Sequence, residues 1–315
     1  MAPPPRYSLA APRSFGRDAV IFAVAYAIAR ALHVALSAIT GRGDRVLRGE
    51  TLRLMPNAVI ASALLLAAGL VGGAARIGCW SAVAVVCYLG VLVNGDRGWH
   101  ISPRHFIERF GQIILIALGE SIVAIGVGAR DLRLDAGVVV AALLGITAIA
   151  CLWWTYFDWV LYVLLARFDN ASLAERAGLA RDVHAYLHSA MVAGIVLFAF
   201  GLEVGLHGTG HALGAVPGTA LAGGVALYLL AHVALRLRIG GGLGRGRPIA
   251  AAALLVAIPG VAHMAAVAAL ATVTAVCVAL VAYEVLRHRS ERAIIRSRRH
   301  GLSTVESDYP HPGRR

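Results

Sequence analysis

Apolar runs of about 20 residues recur along this chain, and they limit its possible folds more than any other feature. A helix needs about 20 apolar residues to cross the hydrocarbon core of a bilayer. Inside that core every backbone N–H and C=O must bond within the protein, so such runs form helices. The sequence therefore predicts an all-α polytopic transmembrane bundle with about nine spanning helices. The predicted segments are residues 19–39, 56–74, 77–94, 105–128, 136–164, 182–206, 213–237, 248–262 and 264–287.

The last two segments are separated only by a turn signal at Pro259 and Gly260. Proline removes a helical N–H and glycine weakens a helix, so this pair favours a reversal of the chain. We expect a tight helical hairpin at this point. The alternative is one long helix that is kinked at the proline.

The placement of arginine predicts the orientation of these helices. The formal net charge is +12, and all 29 residues of the Lys+Arg count are arginines. Basic residues concentrate in the cytoplasmic loops of membrane proteins. With a cytoplasmic C-terminus, 22 of the 29 arginines fall on the inner side and six on the outer side, and Arg30 lies within the first segment. This split predicts a multi-pass membrane protein with a cytoplasmic C-terminus and an external N-terminus.

Three regions follow from this topology. Residues 1–18 are predicted to be an extracytoplasmic stub, residues 19–288 the transmembrane domain, and residues 289–315 a basic cytoplasmic tail that is partly disordered. We expect the tail to contact anionic lipids of the inner leaflet, where each basic residue contributes about 1 kcal/mol. Because the arginines lie in loops and in the tail, and not on a soluble basic face, no nucleic-acid partner is predicted. The pattern leaves a homo-oligomer open.

The four cysteines give no sign of a metal site or a cofactor. Cys79, Cys87, Cys151 and Cys277 all lie within apolar segments, and none belongs to a Cys-x-x-Cys or Cys/His pattern. Neither a disulfide framework nor a zinc site is predicted. The simplest interpretation is that they fill space as small apolar residues. We predict no cofactor.

Ionisable side chains within the apolar runs define a first candidate site. Glu120 and Ser121 lie well inside the fourth segment, where a charged group costs about 2.5 kcal/mol or more and by default indicates a functional site. In the first segment, Arg30 and His33 are three residues apart and share one helical face. Arg30 and Glu120 are predicted at comparable depths, which suggests an ion pair that either serves transport or only locks two helices. The predicted intramembrane ion pathway therefore consists of Arg30, His33, Glu120 and Ser121.

A second candidate site lies where the fourth, fifth and sixth segments reach the inner interface. Titratable side chains gather at that level, and they could relay protons or receive a cytoplasmic ligand. This inner-interface cluster consists of His105, Glu108, Arg109, Asp158, His184 and His188. His184 and His188 are four residues apart and could bind one metal ion. Without a His-Glu-x-x-His pattern they are weak candidates, and histidines satisfied by their neighbours are the simpler interpretation.

Two features nearer the C-terminus receive simpler interpretations. Tyr228, His232 and Arg236 form a stripe on the seventh segment that ends at the inner interface, where a long basic side chain can reach the lipid headgroups. The stretch from Gly240 to Pro248 resembles a phosphate-binding loop only superficially. It follows a helix and lacks the Lys-Ser/Thr ending of that motif, so a flexible basic loop is predicted.

Two motifs resemble the bacterial low temperature requirement protein A (LtrA) family. They are His105-Phe-x-Glu-Arg-Phe-Gly and Leu118-Gly-Glu-Ser-Ile122. Further elements of the family follow the same order, namely Phe15-Gly before Tyr26 and Arg30, Tyr156-Phe-Asp158, and His184-x-Tyr-x-His188 before Met191-Val-Ala-Gly-Ile-Val196. The resemblance covers about residues 12–288 and implies an integral protein of the bacterial inner membrane. It implies no particular activity.

The sequence departs from the family at its beginning. Family members usually start with additional helices that carry an acidic motif, Glu-Leu-Phe-Phe-Asp-Leu-Val-Phe, and this sequence does not contain it. We expect either a naturally shortened member or a start that was assigned too late. Additional helices upstream would also account for the predicted external position of residue 18.

Three functions are compatible with these features. We favour a protein of transporter or channel type, in which protons or ions move along the polar side chains of the first, fourth, fifth and sixth segments. The alternative is a membrane-embedded enzyme acting on lipid or lipid-linked groups at the inner interface, with His184, His188, Asp158 and Glu108 as acid–base or metal groups. A structural role in cold adaptation, without catalysis or transport, is the third.

Overall fold

The fold is described from a computed structural model. The structure describes residues 18–40, 43, 45–93, 103–129, 132, 134–158 and 160–287. Residues 1–17 of the predicted stub and the predicted basic tail lie outside the described residues.

Helices make up nearly all of the described chain. Eight helical stretches are long and apolar enough to cross a membrane. The predicted all-α polytopic transmembrane bundle is thereby confirmed. The elements are α1 (Ala19–Thr40), α2 (Arg45–Leu70), α3 (Gly73–Val93), α4 (Pro103–Ala129), α5 (Ala136–Phe157), α6 (Val160–Asp169), α7 (Leu173–Arg181), a π-helical segment (Asp182–His188), α8 (Ser189–Leu206), α9 (Ala215–Arg238), α10 (Gly246–His263) and α11 (Ala266–Arg287).

Two predicted segments have different bounds in the structure. The apolar part of α2, Met55–Leu70, is shorter than the eight candidate spans, so the predicted second segment is not one of them. The prediction of one helix over 136–164 is wrong, because α5 ends at Phe157 and α6 begins at Val160. At this end the side chain of Arg247 donates to the Thr155 carbonyl at 2.9 Å. A carbonyl group in the last turn of α5 thus accepts a hydrogen bond from a side chain 92 residues away, and the local sequence does not reveal such a contact.

The hairpin predicted near the C-terminus is confirmed, but its turn lies later than expected. Pro259 and Gly260 are inside α10, and the chain reverses between His263 and Ala266. Hydrogen bonds to the loop before α9 fix this position. The N–H of Gly214 donates to the Ala262 carbonyl at 3.0 Å, and the N–H of Ala266 donates to the His211 carbonyl at 2.9 Å. The alternative of one long kinked helix is wrong.

Contacts divide the chain into two compact units, and each is described by itself. Among the described residues, the first unit contains α1, α2, α3, α7 and the π-helical segment as far as Tyr186. Its core includes Ala23 of α1, Leu65 of α2 and Val83 of α3. The Asn57 side chain donates from α2 to the Val86 carbonyl of α3 at 2.9 Å.

Among the described residues, the second unit contains α4, α5, α6, α8, α9, α10 and α11 together with Leu187 and His188, and α9 lies at its centre. In α9, 67% of the apolar stretch is buried, which is more than in any other candidate span. Helices α8 and α10 pack on α9, α4 packs on α8, and α11 packs on α5. Small residues let α8 and α9 approach closely, with Gly194 facing Gly224 across the contact. Close approach of this kind is typical of helix pairs in membranes.

The start of α5 gives a first testable prediction. The Asp135 carboxylate caps this helix by accepting from the Val138 N–H at 2.9 Å. We expect Asp135→Ala to lower the free energy of unfolding by about 1 kcal/mol, because it leaves an orphan N–H at the helix end. Unfolding of the purified protein in mixed micelles, followed by circular dichroism, measures this change. Asp135→Asn should keep most of the cap, and an equal loss in both variants would contradict capping as the cause.

Candidate functional site

A hydrogen-bonded histidine and tyrosine lie in the core of the second unit. The Tyr156 hydroxyl and the Nε2 atom of His188 are 2.8 Å apart. Tyr156 is 0% exposed and His188 is 2% exposed. The ring of Phe110 covers the imidazole of His188, with 4.9 Å between the ring centroids. Two groups that can each donate or accept a proton are therefore held together away from the surface.

A second buried histidine follows on α9. His232 is 1% exposed, and its ring centroid lies 6.0 Å from that of Tyr156 in an edge-to-face arrangement. Its Nδ1 atom lies 2.9 Å from the Tyr228 carbonyl oxygen. Because a carbonyl can only accept, Nδ1 carries the hydrogen and Nε2 holds a lone pair when the ring is neutral. That Nε2 atom is buried and has no hydrogen-bond partner among the described residues.

An ion pair fixes the neighbouring helix ends. Arg247 of α10 donates to both carboxylate oxygens of Glu284 of α11, at 2.8 and 3.3 Å. The side chains are only 15% and 14% exposed. Arg247 also donates to the Thr155 carbonyl in the last turn of α5, where a cation is favoured by the helix dipole. One guanidinium thus joins the ends of α5, α10 and α11.

A cavity of about 530 Å³ opens beside these groups, between the C-terminal end of α9 and the N-terminal end of α10. His232 and the Arg247–Glu284 pair line it, and so do Arg236, Arg245 and Arg287. The connecting loop, residues 239–245, forms part of its wall. The cavity therefore combines a buried histidine with an excess of positive charge.

The predicted intramembrane pathway is distributed over both units. In the first unit, Arg30 is half-buried and lines a cavity of about 960 Å³ between α1 and α2. Its Nε atom is buried and has no hydrogen-bond partner among the described residues, while His33 is exposed. In the second unit, Ser121 is buried and donates to the Ala117 carbonyl at 3.1 Å, and Glu120 is exposed. The Arg30–Glu120 ion pair would join the two units and stays a prediction.

The predicted inner-interface cluster is also divided between the units. Glu108 and Arg109 are exposed on α4, and Asp158 is partly buried just after α5. His184 belongs to the first unit and is partly buried, whereas His188 belongs to the second and bonds Tyr156. The His105 side chain lies outside the described residues. Among the residues that the structure does describe, no group of three or more His, Cys, Asp or Glu side chains is arranged to hold a metal ion.

Only part of this site is predictable from the sequence. The position of His188 at a helix end predicts its place in a site, whereas the stripe of Tyr228 and His232 is typical of an interface. The pair of Arg247 and Glu284 was missed, because 37 residues separate its members. No local spacing signals such a contact. A lone acidic residue in the last turns of an apolar helix was the available clue.

Comparisons with known proteins place the chain in a family without adding an activity. The family model described as bacterial low temperature requirement A protein (LtrA) matches residues 6–282. No curated protein and no solved structure matches the chain.

Proposed function

The chain belongs to the bacterial low temperature requirement A family. We propose that it is a transporter- or channel-type protein of the inner membrane that moves protons. The single observation that carries this proposal is the buried row formed by His188, Tyr156 and His232 in the second unit. Titratable groups inside a membrane-spanning bundle are costly, and they are typical of proton relays.

The chemistry of the row suits proton transfer. Within the 2.8 Å contact between His188 Nε2 and the Tyr156 hydroxyl, a protonated His188 can donate to the hydroxyl oxygen while the hydroxyl releases its own proton towards His232, which leaves both side chains neutral without movement of heavy atoms. The next acceptor is the lone pair of His232 Nε2, which lacks a partner among the described residues. We expect a water molecule from the adjoining cavity to complete the step between Tyr156 and His232. The row would then deliver protons to the cavity.

The distribution of arginine supports a cytoplasmic position for this cavity. It lies at the C-terminal end of α9 and the N-terminal end of α10, and these ends carry Arg236, Arg238, Arg245 and Arg247. A concentration of arginine on one side is typical of the cytoplasmic face. By the same rule the C-terminus is cytoplasmic, and the basic tail contacts anionic lipids of the inner leaflet.

Reconstitution tests this proposal. The full chain is incorporated into liposomes that contain a pH-sensitive dye, and a potassium diffusion potential is imposed with valinomycin. We expect internal acidification or alkalinisation that depends on the amount of protein and on the sign of the potential. Fluorescence changes equal to those of protein-free liposomes, with proton, sodium and potassium gradients alike, would contradict a transport function.

A further inference from the structure

We propose that the cavity between α9 and α10 is a binding site for a phosphate-bearing anion. This inference rests on the cavity itself and does not require that the protein transports protons. It assigns a ligand class to a site formed by Arg236, Arg245, Arg247, Arg287 and His232.

Charge is the first observation. Four guanidinium groups line the cavity, and among the described residues that line it Glu284 is the one that carries a carboxylate. Glu284 is already bound to Arg247 by two contacts. An unbalanced set of cations around one space is stabilised by an anion, and planar guanidinium groups bind phosphate oxygens in pairs. The charge pattern thus favours an anionic ligand with several oxygens.

Backbone geometry is the second observation. Helix α10 is 18 residues long, and its N-cap residue, Arg245, makes no side-chain cap hydrogen bond. Its first residues, Gly246 and Arg247, line the cavity. The free N–H groups and the positive end of the dipole at such a terminus favour phosphate. The preceding loop has positive φ angles at Gly242 (64°) and Gly244 (71°), a conformation from which anion-binding concavities are built.

The buried histidine is the third observation, and it is independent of the other two. His232 lines the cavity and is 1% exposed, and its Nε2 atom has no partner among the described residues. Nε2 is the ring nitrogen farther from the backbone in every histidine, and here the nearer nitrogen, Nδ1, already donates to the Tyr228 carbonyl of the same helix. A buried polar atom without a partner costs free energy unless a ligand satisfies it. The lone pair of Nε2 accepts from a hydroxyl group, which a protonated phosphate or an organic phosphate ester provides.

The size of the cavity indicates a ligand larger than inorganic phosphate. About 530 Å³ corresponds to roughly 18 water molecules at ~30 Å³ each, and it lies within the range of small-molecule pockets. Two sources fit this chemistry, a soluble phosphate ester and the headgroup of an anionic phospholipid. Both place the phosphate group among the arginines and the loop, with a polar part directed towards His232.

Binding to the purified full chain distinguishes these sources. Inorganic phosphate and glycerol phosphate are titrated by calorimetry in a non-ionic detergent. Phosphatidylglycerol and phosphatidylcholine are titrated separately by native mass spectrometry. Saturable binding of the soluble phosphates identifies a soluble ligand, and binding of phosphatidylglycerol over phosphatidylcholine identifies a lipid headgroup. Either result supports the site if it depends on Arg245 and His232.

Matched variants test that dependence. We expect Arg245→Gln to weaken binding about tenfold or more, since it removes a charge-assisted contact. His232→Phe, which keeps the ring volume, should also weaken it. Arg238→Gln is the control, because Arg238 lies in the last turn of α9, the helix that carries His232, and does not line the cavity.

Absence of saturable binding by all four probes, or an equal loss of binding in Arg238→Gln and Arg245→Gln, would overturn the site. Phosphate binding without proton flux would support the binding site and contradict the transport proposal. Proton flux without phosphate binding would support the transport proposal and contradict the binding site.

Discussion

Replacing Arg247 with methionine should lower the free energy of unfolding by about 3 kcal/mol. The substitution leaves the Glu284 carboxylate, which is 14% exposed, without its two contacts, and an uncompensated buried charge typically costs about 3–5 kcal/mol. It also removes the donor to the Thr155 carbonyl at the end of α5. Unfolding in mixed micelles with increasing mole fraction of dodecyl sulfate measures the loss.

Two further variants separate charge from packing. Adding Glu284→Gln to Arg247→Met should recover part of the lost stability, because the remaining buried group is then neutral. Arg53→Met removes an exposed arginine and should change stability by less than about 0.5 kcal/mol. If the double variant were less stable than Arg247→Met alone, isolated charge would not be the cause.

The close contact of α8 and α9 leads to the second large effect. A Cβ atom at Gly194 would lie 2.5 Å from the Gly224 carbonyl oxygen and 2.8 Å from the Tyr228 nitrogen. A Cβ atom at Gly224 would lie 2.6 Å from the Gly194 carbonyl oxygen and 2.6 Å from the Phe198 nitrogen. All four obstacles are backbone atoms, so the two helices must separate to admit a methyl group. We expect Gly194→Ala and Gly224→Ala each to lower stability by about 2–3 kcal/mol.

Gly223 offers a control that is one residue away. A Cβ atom there would meet only the side chains of Ile258 and Thr219, at 3.7 and 3.8 Å, which are ordinary contacts. Because alanine favours a helix over glycine by up to about 1 kcal/mol, Gly223→Ala should be neutral or stabilising. Thermal unfolding of the three variants in detergent measures the difference. Equal stability of Gly224→Ala and Gly223→Ala would contradict the close contact.

The architecture could be predicted from sequence because the bilayer imposes it. Apolar runs of sufficient length must be helical, and so the bounds of α1, α9 and α11 agree closely with the predicted segments. The predicted helix ends are wrong where contacts between distant residues determine the position of the end. Pro259 was expected at a turn, yet it lies inside α10, and the bonds made by Gly214 and Ala266 place the reversal after it.

The site was less accessible to sequence reasoning because it depends on contacts between distant residues. His188 and Tyr156 are 32 residues apart, and only their burial and 2.8 Å separation show that they interact. His232 follows the pattern of an interfacial stripe, yet it is buried beside Tyr156. The glycine-rich loop was predicted to be a simple basic connector because it lacks a phosphate-loop motif. Its importance comes from the cavity that it borders, which no local motif encodes.

The proposed proton pathway depends on one hydroxyl group, and a single comparison of proton flux tests it most directly. Tyr156→Phe keeps the buried ring but removes the bond to His188. The control is Tyr186→Phe, which removes a hydroxyl that donates to the Tyr88 carbonyl in the other unit. In dye-loaded liposomes under a potassium diffusion potential, we expect proton flux to fall at least about tenfold in Tyr156→Phe, since a positioned proton-transfer group typically contributes 10²–10⁴-fold. Tyr186→Phe should keep wild-type flux. Equal flux through wild type and a folded Tyr156→Phe variant would contradict the pathway.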